Sequence, residues 1–269
     1  MASPDNSRPL TGRTILITRA AGQSNEAVML LENLGARVLH RPMIEIVEPA
    51  DWSELDRAIE LLDRYDWIIF TSANGAKFFF RRLDEKHIRE LPSSSVVLAI
   101  GGATAKAIAK EGARVDLTAS DSRAEGALEA ILEHGGGSSA ISGKRFLIPR
   151  ARVARDFLPD ELRKIGAIVD VAEAYRTIQP EGTGDEIKAL LESHEIDAIT
   201  FTSSSTVSNF ASLVGEVDLS KILSNVVVAC IGPVTAATAR EHGISEVVVP
   251  DVFSAAALVE ALGNHMSKS

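Results

Sequence analysis

Two stretches of this chain share one pattern, "FTSANGAKFF" from Phe70 to Phe79 and "FTSSSTVSNF" from Phe201 to Phe210. Each closes an apolar run with Thr-Ser, passes through small polar residues and returns to an aromatic. Thr71 and Thr202 lie 131 positions apart, and the same shift carries Leu16 to Leu147, Arg19 to Arg150, Gly35 to Gly166, Asp66 to Asp197, Gly101 to Gly232 and Gly112 to Gly243. So many landmarks at one spacing read as a tandem duplication, each copy repeating one series of elements.

Within a copy, strand and helix alternate. "TILITR" (Thr14–Arg19) and "RFLIPR" (Arg145–Arg150) are short apolar runs, and the amphipathic stretches "SNEAVMLLENLG" and "RDFLPDELRKIG" that follow them stop at Gly35 and Gly166. A glycine there suits the left-handed cap of a helix. "ARVLHRPMIEIVEP" and "AIVDVAEAYRTIQP" read as extended and close on proline, whereas "WIIFTS" and "AITFTS" end in the small polar clusters. "VVLAIGGATAKAIAKEG" and "VVVACIGPVTAATAREHG" add a buried strand, a glycine turn and an Ala-rich helix. This alternation implies an α/β protein with parallel sheets and helices on both faces. Periodicity by itself implies two sequential lobes, and "EHGGGSSAISG" (Glu133–Gly143) reads as a loose connector between the copies.

A chain of 269 residues with 45% hydrophobic and 24% charged content has the material for two globular domains. No apolar run is long enough to cross a bilayer, and "MASPDNSRPLTGR" lacks the apolar core of a secretory signal. The expectation is a cytoplasmic protein, or a plastid-stroma protein whose transit peptide has been removed. The lone Cys230 inside "VVVACIGP" reads as a small buried strand residue. A net charge of -9 argues against nucleic-acid binding, which needs a basic surface.

Parallel sheets place ligands at the carboxyl ends of their strands, where helix N-termini offer free N–H groups. The clusters Ser72–Gly75, Gly101–Thr104, Ser203–Thr206 and Gly232–Thr235 all occupy that position. Taken singly, each reads equally as an ordinary N-cap or as part of a carboxylate or phosphate cradle. Four of them at matching strand ends favour the cradle. No G-x-G-x-x-G, Walker-type loop or G-x-S-x-G elbow is present, which counts against dinucleotide, NTP and serine-hydrolase chemistry. The six histidines have no paired ligand spacing, so no metal is expected, and His87, His134, His194 and His242 read as solvated.

These residues resemble the uroporphyrinogen III synthase family over Thr14–Leu262. The likeness rests on "ITRA" with Gln23, "LENLGARVLHRPMIEI", "FTSANG", "IGGATAKAI", Arg155 with "LPDELRKIG", "AYRT", "FTSSST" and "IGPVTAATA" ahead of "HG". The resemblance implies two flavodoxin-like doubly wound lobes joined by a two-stranded linker, with crossings near 42–46 and 174–179. One lobe would combine 1–43 with 180–269, and the other would span 46–173. It further implies a cofactor-independent, cyclising lyase whose substrate is hydroxymethylbilane, a linear tetrapyrrole polycarboxylate. Water is lost and ring D is inverted on closure to uroporphyrinogen III. Donor rims of the two lobes would face a shared gap, and a monomer is the default expectation.

The leaving hydroxyl calls for a general acid, and a phenol with an ordinary pKa of about 10 is protonated at neutral pH. Of the two tyrosines, Tyr175 matches the family's linker tyrosine and is the expected acid, while Tyr65 beside "DWIIF" reads as a packing residue. By resemblance Thr104, Ser203, Thr235 and Arg155 contact substrate, and Ser72, Ser204, Gly232 and Arg150 are candidate binding residues at the same strand ends. Val234 stands where the family pattern carries a threonine, which removes one hydroxyl. A different reading, a two-lobed binding or isomerase-type protein for a small anion such as a sugar phosphate, would leave Tyr175 incidental.

Overall fold

Residues Trp67 to Phe70 are all buried, and they alternate strictly between two apolar clusters: Trp67 and Ile69 face one, Ile68 and Phe70 the other. A strand whose period-2 faces are both apolar must be covered on both sides. The computed structural model describes residues 8–19, 25–119, 123–215 and 218–267. The chain divides into two compact units, Met1–Glu45 with Ile178–Ser269 and Ile46–Thr177. Gln23, one of the residues behind the family likeness, lies outside the described residues, as does the segment 1–7.

The first leg contains β1 (Thr14–Ile17), α1 (Asn25–Asn33) and β2 (Arg37–His40). The middle leg runs β3 (Glu45–Val47), α2 (Ser53–Glu60), β4 (Trp67–Phe70), α3 (Ala73–Glu85), β5 (Val96–Ile100), α4 (Gly102–Lys110) and β6 (Leu117–Ala119). It continues through α5 (Ala124–Gly135), α6 (Ser138–Ile141), β7 (Arg145–Ala151), α7 (Phe157–Lys164) and β8 (Ile168–Ile178). The last leg is α8 (Thr183–Glu192), β9 (Ala198–Phe201), α9 (Ser204–Val214), α10 (Leu219–Ile222), β10 (Val227–Cys230), α11 (Pro233–Glu241) and α12 (Ala255–Met266).

One sheet has the order β10-β9-β1-β2, all parallel, with an isolated parallel bridge from Ala229 to Val248 at its β10 edge. The other has the order β3-β8-β7-β4-β5-β6, and its pairs from β8 to β6 are parallel. The two sequential lobes that periodicity implies are therefore corrected: β1 pairs with β9, and β7 pairs with β4, each across the two halves of the chain. Periodicity specifies which segments are strands but carries no information about which of several similar segments supplies the neighbour.

Local chemistry pins these pairings. Asp66 accepts from the Arg145 N–H at 2.9 Å and from Lys144 Nζ at 2.8 Å, tying the start of β4 to that of β7. Asp197 does the same for β9 and β1, accepting from the Thr14 N–H at 2.8 Å and from Arg13 Nη1 at 2.9 Å. Gly35 and Gly166 follow α1 and α7 with φ of +91° and +89°, and a Cβ at either would lie 2.6 Å from the hydroxyl of Thr11 or Ser142. Both the backbone angle and the close approach demand glycine there.

The segment Glu133–Gly143 is not the loose connector its composition suggests. It contains the end of α5, a left-handed Gly136 and the short helix α6, whose buried Ile141 occupies the space that a Cβ at Gly135 would need. Gly135 makes room for an apolar side chain instead of loosening the chain. Cys230 is buried on β10, and burial pushes its thiol up to about 11. Among the described residues no helix is long and apolar enough to cross a membrane.

Candidate active site at the strand ends

In the unit built on β4, the strand hands over to α3 at Ser72, whose extended backbone (φ -156°, ψ 154°) makes it the N-cap. Its Oγ accepts from the Gly75 N–H at 3.0 Å, satisfying one of the free donors of the helix start. The same Oγ lies 3.1 Å from the phenol oxygen of Tyr175. Tyr175 reaches this point through an irregularity in the β7–β8 ladder. Arg150 pairs with Glu173, but Ala151 pairs with Tyr175, and the adjacent Ala174 and Tyr175 both meet the same apolar cluster. A bulge of this kind re-aims a side chain that strict alternation would send to the other face. The ring is only 8% exposed and stacks on Phe78, one turn into α3, with centroids 5.9 Å apart.

Gly75 sets the approach of helix to sheet. A Cβ there would lie 2.9 Å from the Pro149 carbonyl oxygen on β7 and 3.3 Å from Ser72 Oγ. Beside this turn, Arg150 is buried at the end of β7. It donates to the Arg155 carbonyl at 2.8 Å and pairs with Asp156, while its Nε is closed off from solvent with no hydrogen-bond partner. Arg150 and Arg155 line a cavity of about 150 Å³ with Thr71, Ile100, Ile148 and Leu158. The Arg155 side chain is 72% exposed and approaches Glu125 only at 4.0 Å. Thr104 is buried in the first turn of α4, behind a left-handed Gly101.

In the other unit, Ser203 caps α9 with nearly the same backbone (φ -162°, ψ 157°), and its Oγ accepts from the Thr206 N–H at 3.2 Å. Thr206 Oγ1 in turn accepts from the Ser203 N–H at 3.2 Å, completing a capping box, and Ser203 Oγ lies 2.9 Å from Ser205 Oγ. Ser204 donates weakly to the Val234 carbonyl at 3.4 Å, which brings the turn after β9 to the start of α11. Gly232, the cap of α11, has an extended backbone that any residue adopts, and a Cβ there would touch the Phe253 ring at 3.3 Å. Thr235 is buried behind it, and Val234 is 75% exposed.

The candidates thus gather within each unit: Ser72 with Tyr175 and Arg150 with Arg155 in one, Ser203, Ser204, Gly232 and Thr235 in the other. Sequence reasoning named Gly75 only as the end of a small polar cluster and missed Phe78. The available signal was their spacing from Ser72, three and six residues on, which places a cap donor and then a ring on the same side of α3. Tyr65 is a buried packing residue: its hydroxyl donates to Asp170 at 2.8 Å, and burial, then Asp170, push its phenol above the usual range.

Residues 25–260 match the family described as uroporphyrinogen-III synthase HemD. The chain is 35% identical over 240 residues to a uroporphyrinogen-III synthase of Synechococcus elongatus, covering 87% of this chain and 88% of that one. It is 27% identical to the uroporphyrinogen-III synthase of Chlorobaculum parvum, covering 93% and 98%. Among solved structures, a mutant uroporphyrinogen III synthase from the extremely thermophilic bacterium Thermus thermophilus superposes with a TM-score of 0.62 at 17% identity, covering 96% of this chain and 100% of that chain. At that identity the superposition speaks for the fold.

Proposed function

The chain belongs to the uroporphyrinogen-III synthase family, and from that premise we propose how its own residues carry the family's reaction. The enzyme is a cyclising lyase: hydroxymethylbilane loses water, and its four rings close with the last one inverted. Tyr175 gives its phenolic proton to the departing hydroxyl as the adjoining pyrrole nitrogen pushes electrons toward the methylene carbon, leaving an azafulvenium cation that keeps its N–H proton. Attack on that carbon from the substituted position of the last ring forms a spiro intermediate, which fragments and recloses. Proton donation of this kind contributes about 100-fold or more. Holding a flexible chain in the folded shape that permits inversion carries the rest.

The observation that carries this reading is the placement of the Tyr175 hydroxyl at the strand-end turn after β4, 3.1 Å from Ser72. Ser72, Thr104, Arg150 and Arg155 in one unit, and Ser203, Ser204, Gly232 and Thr235 in the other, are the groups assigned to the substrate's carboxylates. The unpartnered Arg150 Nε supports that assignment, since a buried donor gains most from an anion. Each unit is a flavodoxin-like lobe, and the two descend from one duplicated ancestor. Three features support this: the order β2-β1-β9-β10 beside β8-β7-β4-β5, the paired clamps at Asp66 and Asp197, and the paired glycines Gly35 and Gly166. The sugar-phosphate reading is not favoured, because the family match and the named relatives all lead to the tetrapyrrole.

Freshly prepared hydroxymethylbilane incubated with the protein yields the type III isomer, resolved by chromatography from the spontaneous type I product. Type I alone, at the uncatalysed rate, overturns the assignment.

A further inference from the structure

Ser72 has one hydroxyl proton and two lone pairs, and the Gly75 N–H takes one of those lone pairs at 3.0 Å. The Tyr175 oxygen, 3.1 Å away, is the side-chain partner for what remains. If the phenol donates to Ser72, its proton is committed and cannot be given to substrate. If Ser72 donates to the phenol, the tyrosine proton is free for another acceptor. We propose that Ser72 is a positioning residue for Tyr175: it donates its hydroxyl proton to the phenol oxygen, presents the phenolic proton to the substrate, and stabilises the phenolate formed when that proton leaves. The proposal rests on the assignment of Tyr175 as the acid and departs from the assignment of Ser72 as a carboxylate contact.

The proton balance closes over one turnover. The Tyr175 O–H bond breaks as the proton joins the leaving oxygen, the methylene C–O bond breaks, and its electron pair departs with water. The negative charge left on the phenol oxygen meets the Ser72 hydroxyl, and a hydrogen bond to an ionised oxygen is about twice as strong as one to a neutral oxygen. The stabilisation therefore grows as the charge develops, which is the condition for lowering a barrier. The phenol is restored by the proton that the last ring carbon sheds on closure.

Two packing details hold the geometry. Phe78 stacks on the Tyr175 ring at 5.9 Å, so the phenol pivots little, and Phe78 belongs to the same helix, α3, that Ser72 caps. Gly75 admits the Pro149 carbonyl at a distance that a side chain would forbid, keeping α3 close to β7. The equivalent serine of the other unit, Ser203, satisfies itself within α9 through Ser205 and Thr206.

The test separates capping from proton presentation. Ser72→Ala removes both functions, Ser72→Thr retains both, and Ser72→Asp retains an acceptor for the cap but has no proton to donate at neutral pH. With hydroxymethylbilane as substrate, kcat falls about tenfold or more in the Ala and Asp variants with KM within about twofold, and the Thr variant recovers most of the rate. Chemical denaturation finds the Asp variant as stable as the parent. In a Tyr175→Phe background the Ser72→Ala change costs nothing further. An Asp variant as fast as the parent, or an undiminished Ser72→Ala effect in the Tyr175→Phe background, overturns the proposal and leaves Ser72 a helix cap. Unchanged turnover in Tyr175→Phe alone instead overturns the acid assignment beneath it.

Discussion

The turns after β4 and β9 begin identically and end differently. Both read Phe-Thr-Ser, both place the serine in extended backbone, and both use its Oγ to accept from the N–H three residues on. The contrast lies at that third residue. Thr206 returns a hydroxyl to the Ser203 N–H and closes the turn upon itself, whereas Gly75 has no side chain and leaves Ser72 open toward Tyr175. A shared cap is explained by helix formation alone. The feature that helix formation does not explain is the phenol that meets Ser72 at the turn after β4, and chemistry is to be sought there.

The largest expected effect tests that partner. Tyr175→Phe lowers kcat by about 100-fold, the loss of an aligned general acid, while product affinity measured by titration stays near the parent's. Parental turnover would reduce the two turns to equivalent caps. Next comes an exchange of the deciding residue: Gly75→Thr destabilises by about 2 kcal/mol, because its Cβ would meet the Pro149 oxygen at 2.9 Å. Thr206→Gly costs only about 1 kcal/mol from the lost capping bond and added backbone freedom. Urea midpoints rank the pair, and a larger loss at position 206 would show that α3 tolerates withdrawal from β7.

A smaller effect separates the two serines. Ser72→Ala and Ser203→Ala each give up a cap worth about 1 kcal/mol, but only the former loses turnover at saturating substrate. Equal falls in kcat would erase the distinction. The smallest prediction concerns α3 itself. Asp56 on α2 accepts from Arg82 Nε at 2.8 Å and Nη2 at 2.7 Å, and Lys86 lies at 3.1 Å. The Arg82 hydrogen bonds hold the Asp56 carboxyl below the usual carboxylate range, against the opposing pull of burial. A carboxylate held low in the folded state stabilises above the unfolded pKa, about 3.9, and that contribution is lost as pH falls through the folded value. Asp56→Asn therefore costs about 1 kcal/mol at pH 7, and the difference from the parent shrinks below about pH 4. A shift of 131 carries Asp56 and Arg82 to Ile187 and Leu213, so this ion pair has no counterpart between α8 and α9.

Much of the local structure was legible. The stops at Gly35 and Gly166, the capping serines and the apolar runs of β4 and β9 all follow from rules that act over a few residues. The connector Glu133–Gly143 misled because three consecutive glycines look like slack, when the space beside the first of them, Gly135, is filled by Ile141. Arg150 was visible as a residue at a strand end, but its burial against Asp156 and the Arg155 carbonyl was not. The bulge that turns Tyr175 toward Ser72 has no signature in "AEAYRTI", since it arises from a mismatch with β7.

What the chain's own letters determined was an alternation of strands and helices, repeated at a spacing of 131, with hydroxyl and glycine turns where parallel strands end. These are consequences of side-chain periodicity and backbone preference, which neighbouring residues settle among themselves. Tertiary structure alone decided that β1 takes β9 as its neighbour, and that a phenol meets a serine 103 residues away. Segments of similar sequence offer each strand nearly equivalent partners, and only the packing of the folded chain, down to a glycine pressed against a carbonyl, distinguishes them.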